Sequence, residues 1–319
     1  MSQARIGAVV SMMTALCVFP SLAYAQATRT WVSGVGDDAN PCSRTAPCKT
    51  FAGAISKTFI NGEINCLDPG GFGTVTITKS ITIDCHEVYA SILASGITGI
   101  VINIGVNAND PLRTVRIRNL NINGAGASGS VGTRTGINGI RIDAALDVFI
   151  EDVLIDGFTQ RGILDQRTAA GNLYVSNTTL RNMAGAGAAV APASGAPRID
   201  ATFTNVLSEN NAFGIAIGSG ARAMIRRSTL AGNTNAGLEV EGPAGAAEVN
   251  CDSCVISNNV TGILVVAGGT ARLSNSDVAF NTTAVSGAVQ SFTNSRFSSN
   301  GSVGTITPIG AATTPTGQQ

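Results

Sequence analysis

Charge, aromatic rings and histidine are all scarce in this 319-residue chain. Charged residues make up 13 %, and twenty basic side chains balance twenty acidic ones. Electrostatic capture of nucleic acid needs an excess of Lys and Arg, so nucleic acid is not an expected partner. The single histidine, His86, leaves zinc sites and histidine-based catalysis with little to work on. Aromatics are 5 %, with one tryptophan, Trp31, and Tyr89 and Tyr174 far apart in the chain. A tight sugar groove walled by aromatic rings is therefore not evident. No stretch sustains a helical period, and beyond the N-terminus none is long and apolar enough to span a membrane. Hydrophobic residues, by contrast, reach 44 % at zero net charge, a composition that supports a buried core rather than disorder.

The N-terminus reads as an export signal over residues 1–25. Arg5 supplies the positive end, "IGAVVSMMTALCVF" (residues 6–19) the apolar run, and "AYA" (residues 23–25) a small-x-small cleavage site before Gln26. The run is short for a membrane anchor. Cys17 follows the bulky Leu16, which argues against lipoprotein processing. The expectation is a periplasmic or extracellular protein, monomeric, with six cysteines left after cleavage: Cys42, Cys48, Cys66, Cys85, Cys251 and Cys254.

Eight stretches align: "VRIRNLNI", "VFIEDVLI", "LYVSNTTL", "ATFTNVLS", "AMIRRSTL", "VNCDSCVI", "ARLSNSDV" and "QSFTNSRF". Their fifth residues are Asn119, Asp152, Asn177, Asn205, Arg227, Ser253, Asn275 and Asn294, spaced by 33, 25, 28, 22, 26, 22 and 19 residues. Two positions earlier stand Ile117, Ile150, Val175, Phe203, Ile225, Cys251, Leu273 and Phe292. Three positions later the residue is apolar except at Ser208. Most repeats then add a Gly-led alternating run, such as "GIRID", "GILDQ", "GIAIG", "GLEVE" and "GILVV". About three short strands per repeat follow, with the Asn position at a bend where left-handed backbone is tolerated.

Three strands per repeat of near 22 residues, with Asn corners, resemble the right-handed parallel β-helix of the pectate-lyase-like superfamily. The segment "TWVSGVGDDANPCSRTAPCKTFAGAI" (residues 30–55) is similar to the opening of many secreted β-helix proteins, which leads into a capping helix, and "NGEINCLDPGGFGTVTITKSITIDC" (residues 61–85) is similar to their first coils. The resemblance implies an all-β, single-stranded solenoid of about ten coils, each too small to bury its own apolar face. The expected boundaries are a cap at 26–60, coils at 61–301 and a flexible tail at 302–319.

The cysteines are expected as staples. Cys251 and Cys254 bracket a bend, and residues i and i+3 across a turn approach disulfide range. A redox CxxC prefers a helix N-terminus and a structural zinc needs four ligands, and neither is in view. Cys66 and Cys85 lie one coil apart, and Cys42 and Cys48 close a small loop.

In the resembled superfamily the substrate groove follows one sheet. Taking the Gly-led strands as that sheet, the outward pairs are Arg141 and Asp143, Leu164 and Gln166, Ala189 and Ala191, Ala216 and Gly218, Glu239 and Glu241, then Leu264 and Val266. Asp165 falls on an inward slot, so either the strand ends there in a solvated corner or the carboxylate meets Arg161 or Arg167. The candidate catalytic set is Arg141, Asp143, Asp165 and Arg167, flanked by the insertion at 123–136 and the loop at 165–171. Its carboxylates suit calcium and its arginines a uronate; no other cofactor is implied. Glu239 and Glu241 form a second carboxylate pair on one strand. The Asn-Thr-Asp, Gly-His-Gly, Trp-Ile-Asp-His and Tyr-Gly-x-Asp-Pro-His motifs of related enzymes are missing from the coils, and Asp37-Asp38 sits in the N-terminal loop as turn chemistry. The expected role is a non-catalytic, glycan-interacting surface scaffold; the alternative is a lyase or hydrolase of an acidic polysaccharide.

Overall fold

The computed structural model describes residues 26–125 and 133–310, so the expected export signal, half of the 123–136 insertion and the last nine residues lie outside what is described. The described chain winds through three parallel sheets of twelve, ten and nine strands. One coil shows the plan. Asp147–Glu151 joins the twelve-stranded sheet, Leu154–Asp156 the ten-stranded and Arg161–Asp165 the nine-stranded, before Gly171–Ser176 pairs with Asp147–Glu151 one level on. This is the parallel β-helix expected from the repeats.

Stacking explains why such short strands are stable. Ile117, Ile150, Val175, Phe203, Ile225, Cys251 and Leu273 form one interior column in register. All are essentially inaccessible to water. Each large aliphatic in such a column contributes about 1.5–3 kcal/mol that a lone coil could not supply. Ser208 takes an interior place between Leu180 and Leu230. Its hydroxyl donates to the Gly214 carbonyl, which removes the cost of burying it.

The bend after the twelve-stranded sheet is one left-handed residue. Asn119, Asp152, Asn177, Asn205, Arg227, Ser253 and Asn275 have φ between 48° and 56°. The last repeat departs from the alignment. Thr293, not Asn294, is left-handed there, and Ser291, not Phe292, continues the Leu273 column. The coil therefore gains a residue at its corner, and the Asn294 side chain accepts from the Asn275 backbone N–H instead.

A second polar column lies inside the wall between the ten- and nine-stranded sheets. Asn211, Asn233, Asn259 and Asn281 each donate their backbone N–H to Oδ1 of the asparagine one coil on, ending at Asn300, at 2.9–3.1 Å. Alternation does not reveal this column, because it falls at a bend and not within a strand.

The N-terminal end is closed by the helix Phe51–Lys57, the one α-helix among the described residues. Thr50 caps it by accepting the Gly53 N–H, and Asp38 in turn accepts from the Lys49 and Thr50 backbones. Phe51 packs on Phe72 with ring centroids 5.3 Å apart. Three disulfides join Cys42 to Cys48, Cys66 to Cys85 and Cys251 to Cys254, across Cα separations of 4.6, 4.8 and 6.2 Å. The CxxC is thus an internal staple around the Ser253 bend. At the other end, Ile306–Pro308 pairs with Val289–Ser291. The twelve-stranded sheet therefore continues into 302–319, the segment expected as a flexible tail.

Candidate functional site

The outer face of the nine-stranded sheet carries one central row in register: Val101, Arg141, Leu164, Ala189, Ala216, Glu239 and Leu264. From Arg141 onward this is the outward order read from the sequence. Its middle is apolar and small, with Leu164, Ala186 and Ala189 nearly buried beneath Phe213 and Ala216.

The four candidate residues divide between the two sides of this wall. Arg141 and Asp143 face outward and pair with each other, Nη2 to Oδ2 at 2.9 Å, and Gln166 donates to Asp143 Oδ1 at 2.8 Å. Asp165 lies inward, level with Ile142 and Val190, and is 0 % exposed, as is Arg167. Arg167 donates from Nε and Nη2 to both Asp165 oxygens, at 2.9 and 2.6 Å. Its Nη1 donates to the Ala145 and Leu146 carbonyls. Gly171 completes the enclosure: a Cβ there would stand 2.2 Å from Arg167 Nη1, so a side chain is excluded. The reading of Asp165 as a solvated corner is thereby corrected. The sheet bends after Asp165, and the chain turns Arg167 back inside to neutralise it, because an unpaired buried carboxylate is costly.

This geometry does not suit calcium. The ion takes six to eight oxygen ligands. Both Asp165 oxygens are held by one guanidinium inside the wall, and those of Asp143 by Arg141 and Gln166 outside it. Among the described residues no three His, Cys, Asp or Glu side chains gather as a metal site. His86 stands at the surface, its side chain 72 % exposed.

Two features remain on this face. An open cleft of about 570 Å³ lies between the capping helix and the first strands of the sheet, lined by Ile55, Thr76, Thr98, Val101 and Ile137, with Arg141 at its edge. Three coils beyond Leu164, Glu239 is partly buried between Ala216 and Leu264. Burial, reinforced by the neighbouring Glu241 charge and opposed by Arg161, pushes its carboxyl up to about 7. It is half-protonated near neutrality, which equips it to donate or accept a proton.

The twelve-stranded sheet holds what the sequence reading missed. Its outer face carries the ion pairs Arg118–Glu151 and Arg222–Asp200, at 2.6 and 2.9 Å. Tyr174 is not isolated. It stacks on Phe149, centroids 4.7 Å apart and planes 15° from parallel, and Arg116 covers the other Phe149 face at 4.2 Å. The signal was in the aligned repeats, whose second residues are Arg116, Phe149 and Tyr174, one per coil.

Several solved structures share this architecture. Pectate lyase Pel9A superposes with a TM-score of 0.55 at 13 % identity, over 84 % of this chain and 78 % of its own. Tailspike protein 2 of the Escherichia coli O157:H7 bacteriophage CAB120 gives 0.53 at 12 % identity, over 81 % of this chain. The present chain spans 36 % of that tailspike. At such identities the likeness is one of fold. No curated protein matches the chain. Residues 138–307 match the family described as the right handed beta helix region. With parallel strands in three sheets, a recurring left-handed residue at the bend after the twelve-stranded sheet and a match over more than half its length, the chain belongs to the right-handed β-helix family.

Proposed function

We propose that this protein is exported to the periplasm or beyond and, as a monomer, holds polysaccharide along its rigid coils without cleaving it. One observation carries the reading: among the described residues, the four candidate side chains of the nine-stranded sheet do not converge on one site. Its Asp165–Arg167 pair is sealed inside, Arg141 is occupied by Asp143, and the coils that follow present Leu164, Ala189 and Ala216. The pectate lyase and tailspike likeness supports a long scaffold of the kind used on polymers. The test is to incubate the mature protein with acidic and neutral polysaccharides, with and without calcium, and to measure both co-sedimentation and chain length. Retention with unchanged chain length is expected. Shortened chains, lost in Asp143→Ala, would overturn it.

Glu239 favours a second reading, a polysaccharide lyase or hydrolase that uses this carboxyl near its pKa of about 7, with Glu241 beside it. Shortening abolished by Glu239→Gln would establish that alternative.

A further inference from the structure

We propose that the twelve-stranded face contains a slot for one neutral pyranose ring, stacked on the free face of Tyr174. The inference rests on the glycan reading above and gives it a location.

The side chains of one outward row climb this sheet one per coil: Arg116, Phe149, Tyr174, Thr202, Met224 and Asn250. The first three form a continuous stack. Both faces of Phe149 are covered, by Arg116 and by Tyr174. Tyr174 has one ring face on Phe149, and the next place belongs to Thr202. A threonine side chain ends two bonds from the backbone, so the stack stops there. Met224 stands two coils from Tyr174, about 10 Å along the axis at about 4.8 Å per coil. The height of one coil above Thr202 is therefore left for one more ring. Tyr174 is accordingly 38 % exposed. An open depression of about 280 Å³ follows directly, lined by Asp200, Thr202, Arg222, Met224, Glu248 and Asn250.

The walls select the occupant. Asp200 is held rigid by Arg198 and Arg222, at 3.0 and 2.9 Å. The charges around the slot are already paired with one another, Asp200 with Arg198 and Arg222 and Glu248 with Arg272, so none is left over to call for a charged ring. Planar carboxylate, guanidinium and amide groups around a ring-sized gap suit the adjacent hydroxyls of a sugar. The C–H bonds on a pyranose face carry slight positive charge and complement the negative face of the tyrosine ring. A charged ring would have to compete with these existing ion pairs, and a purely apolar one would leave the polar rim unpaired.

The test is isothermal calorimetry, with saturation-transfer NMR, on the mature protein and three neutral probes: cellohexaose, mannohexaose and maltohexaose. At least one is expected to bind. Tyr174→Ala should weaken it about tenfold, whereas Tyr174→Phe, which keeps the ring, should stay within about threefold. Thr202→Trp fills the gap with the protein's own ring and should abolish binding while leaving Tyr174 in place. Melting curves of each variant confirm that it is folded. A hexasaccharide bound equally by wild type, Tyr174→Ala and Thr202→Trp would overturn the slot and leave the glycan reading standing. Polymer retention with none of the three probes bound would do the same. No retention of any polymer or probe would remove both.

Discussion

Arg141–Asp143 and Asp165–Arg167 are the same chemistry twice: an arginine and an aspartate two residues apart, at the same end of adjacent strands. One pair is partly exposed on the outer face and the other is sealed at 0 % exposure. They differ in phase. Arg141 stands level with Leu164, and Asp165 with Ile142. A shift of one residue in a period-2 strand moves a side chain through the wall. Outside, the pair is screened by water and contributes little. Inside, each charge depends on the other, because neither has solvent to fall back on.

That contrast can be tested by mutation, and the largest effect is expected inside. Arg167→Ala strands the Asp165 carboxylate and should lower stability by about 3–5 kcal/mol in urea titration. A loss below about 1 kcal/mol would show that water reaches the site. The asparagine column should come next. Asn259→Ala removes the Oδ1 that accepts the Asn233 backbone N–H and side-chain amide, and should cost about 1–3 kcal/mol for groups left unpaired.

Another effect depends on pH. The folded state raises the Glu239 pKa from its ordinary 4.5 to about 7. The native protein then holds this proton more tightly than the unfolded chain. Its contribution is fully present below about pH 4.5 and is lost as pH rises through about 7. Thermal melts across that window should fall in the wild type and fall less in Glu239→Gln; identical slopes would remove the carboxyl as the cause. The smallest change is expected outside, where Arg141→Ala should cost no more than about 1 kcal/mol. A cost matching that of Arg167→Ala would erase the comparison.

The fold was legible because its determinants are local and repeated. A left-handed corner prefers asparagine, and Asn119, Asn177, Asn205 and Asn275 recur at coil spacing beside interior aliphatics. The inward slot of Asp165 followed from alternation alone. Its partner did not, because alternation fails once a strand bends, and Arg161 and Arg167 both lay within a few residues of it. The stack of Phe149 on Tyr174 was missed for a related reason. Contacts between coils join residues 25 apart, and aromatics scattered in the chain become neighbours only after the register of each coil is known. Asn294 misled because the last coil carries one more residue at its corner than the repeat prescribes.

Two of the three disulfides and the capping helix lie within the first 85 residues, whereas Ile306–Pro308, the last described strand, has a partner on one side only among the described residues. Each coil touches just its neighbours, so opening proceeds from whichever end is less secured. This solenoid therefore has a direction of wear. Added protease should trim the described coils backward from Ile306–Pro308, and the cleft beside the capping helix would be the last part of the surface to disappear.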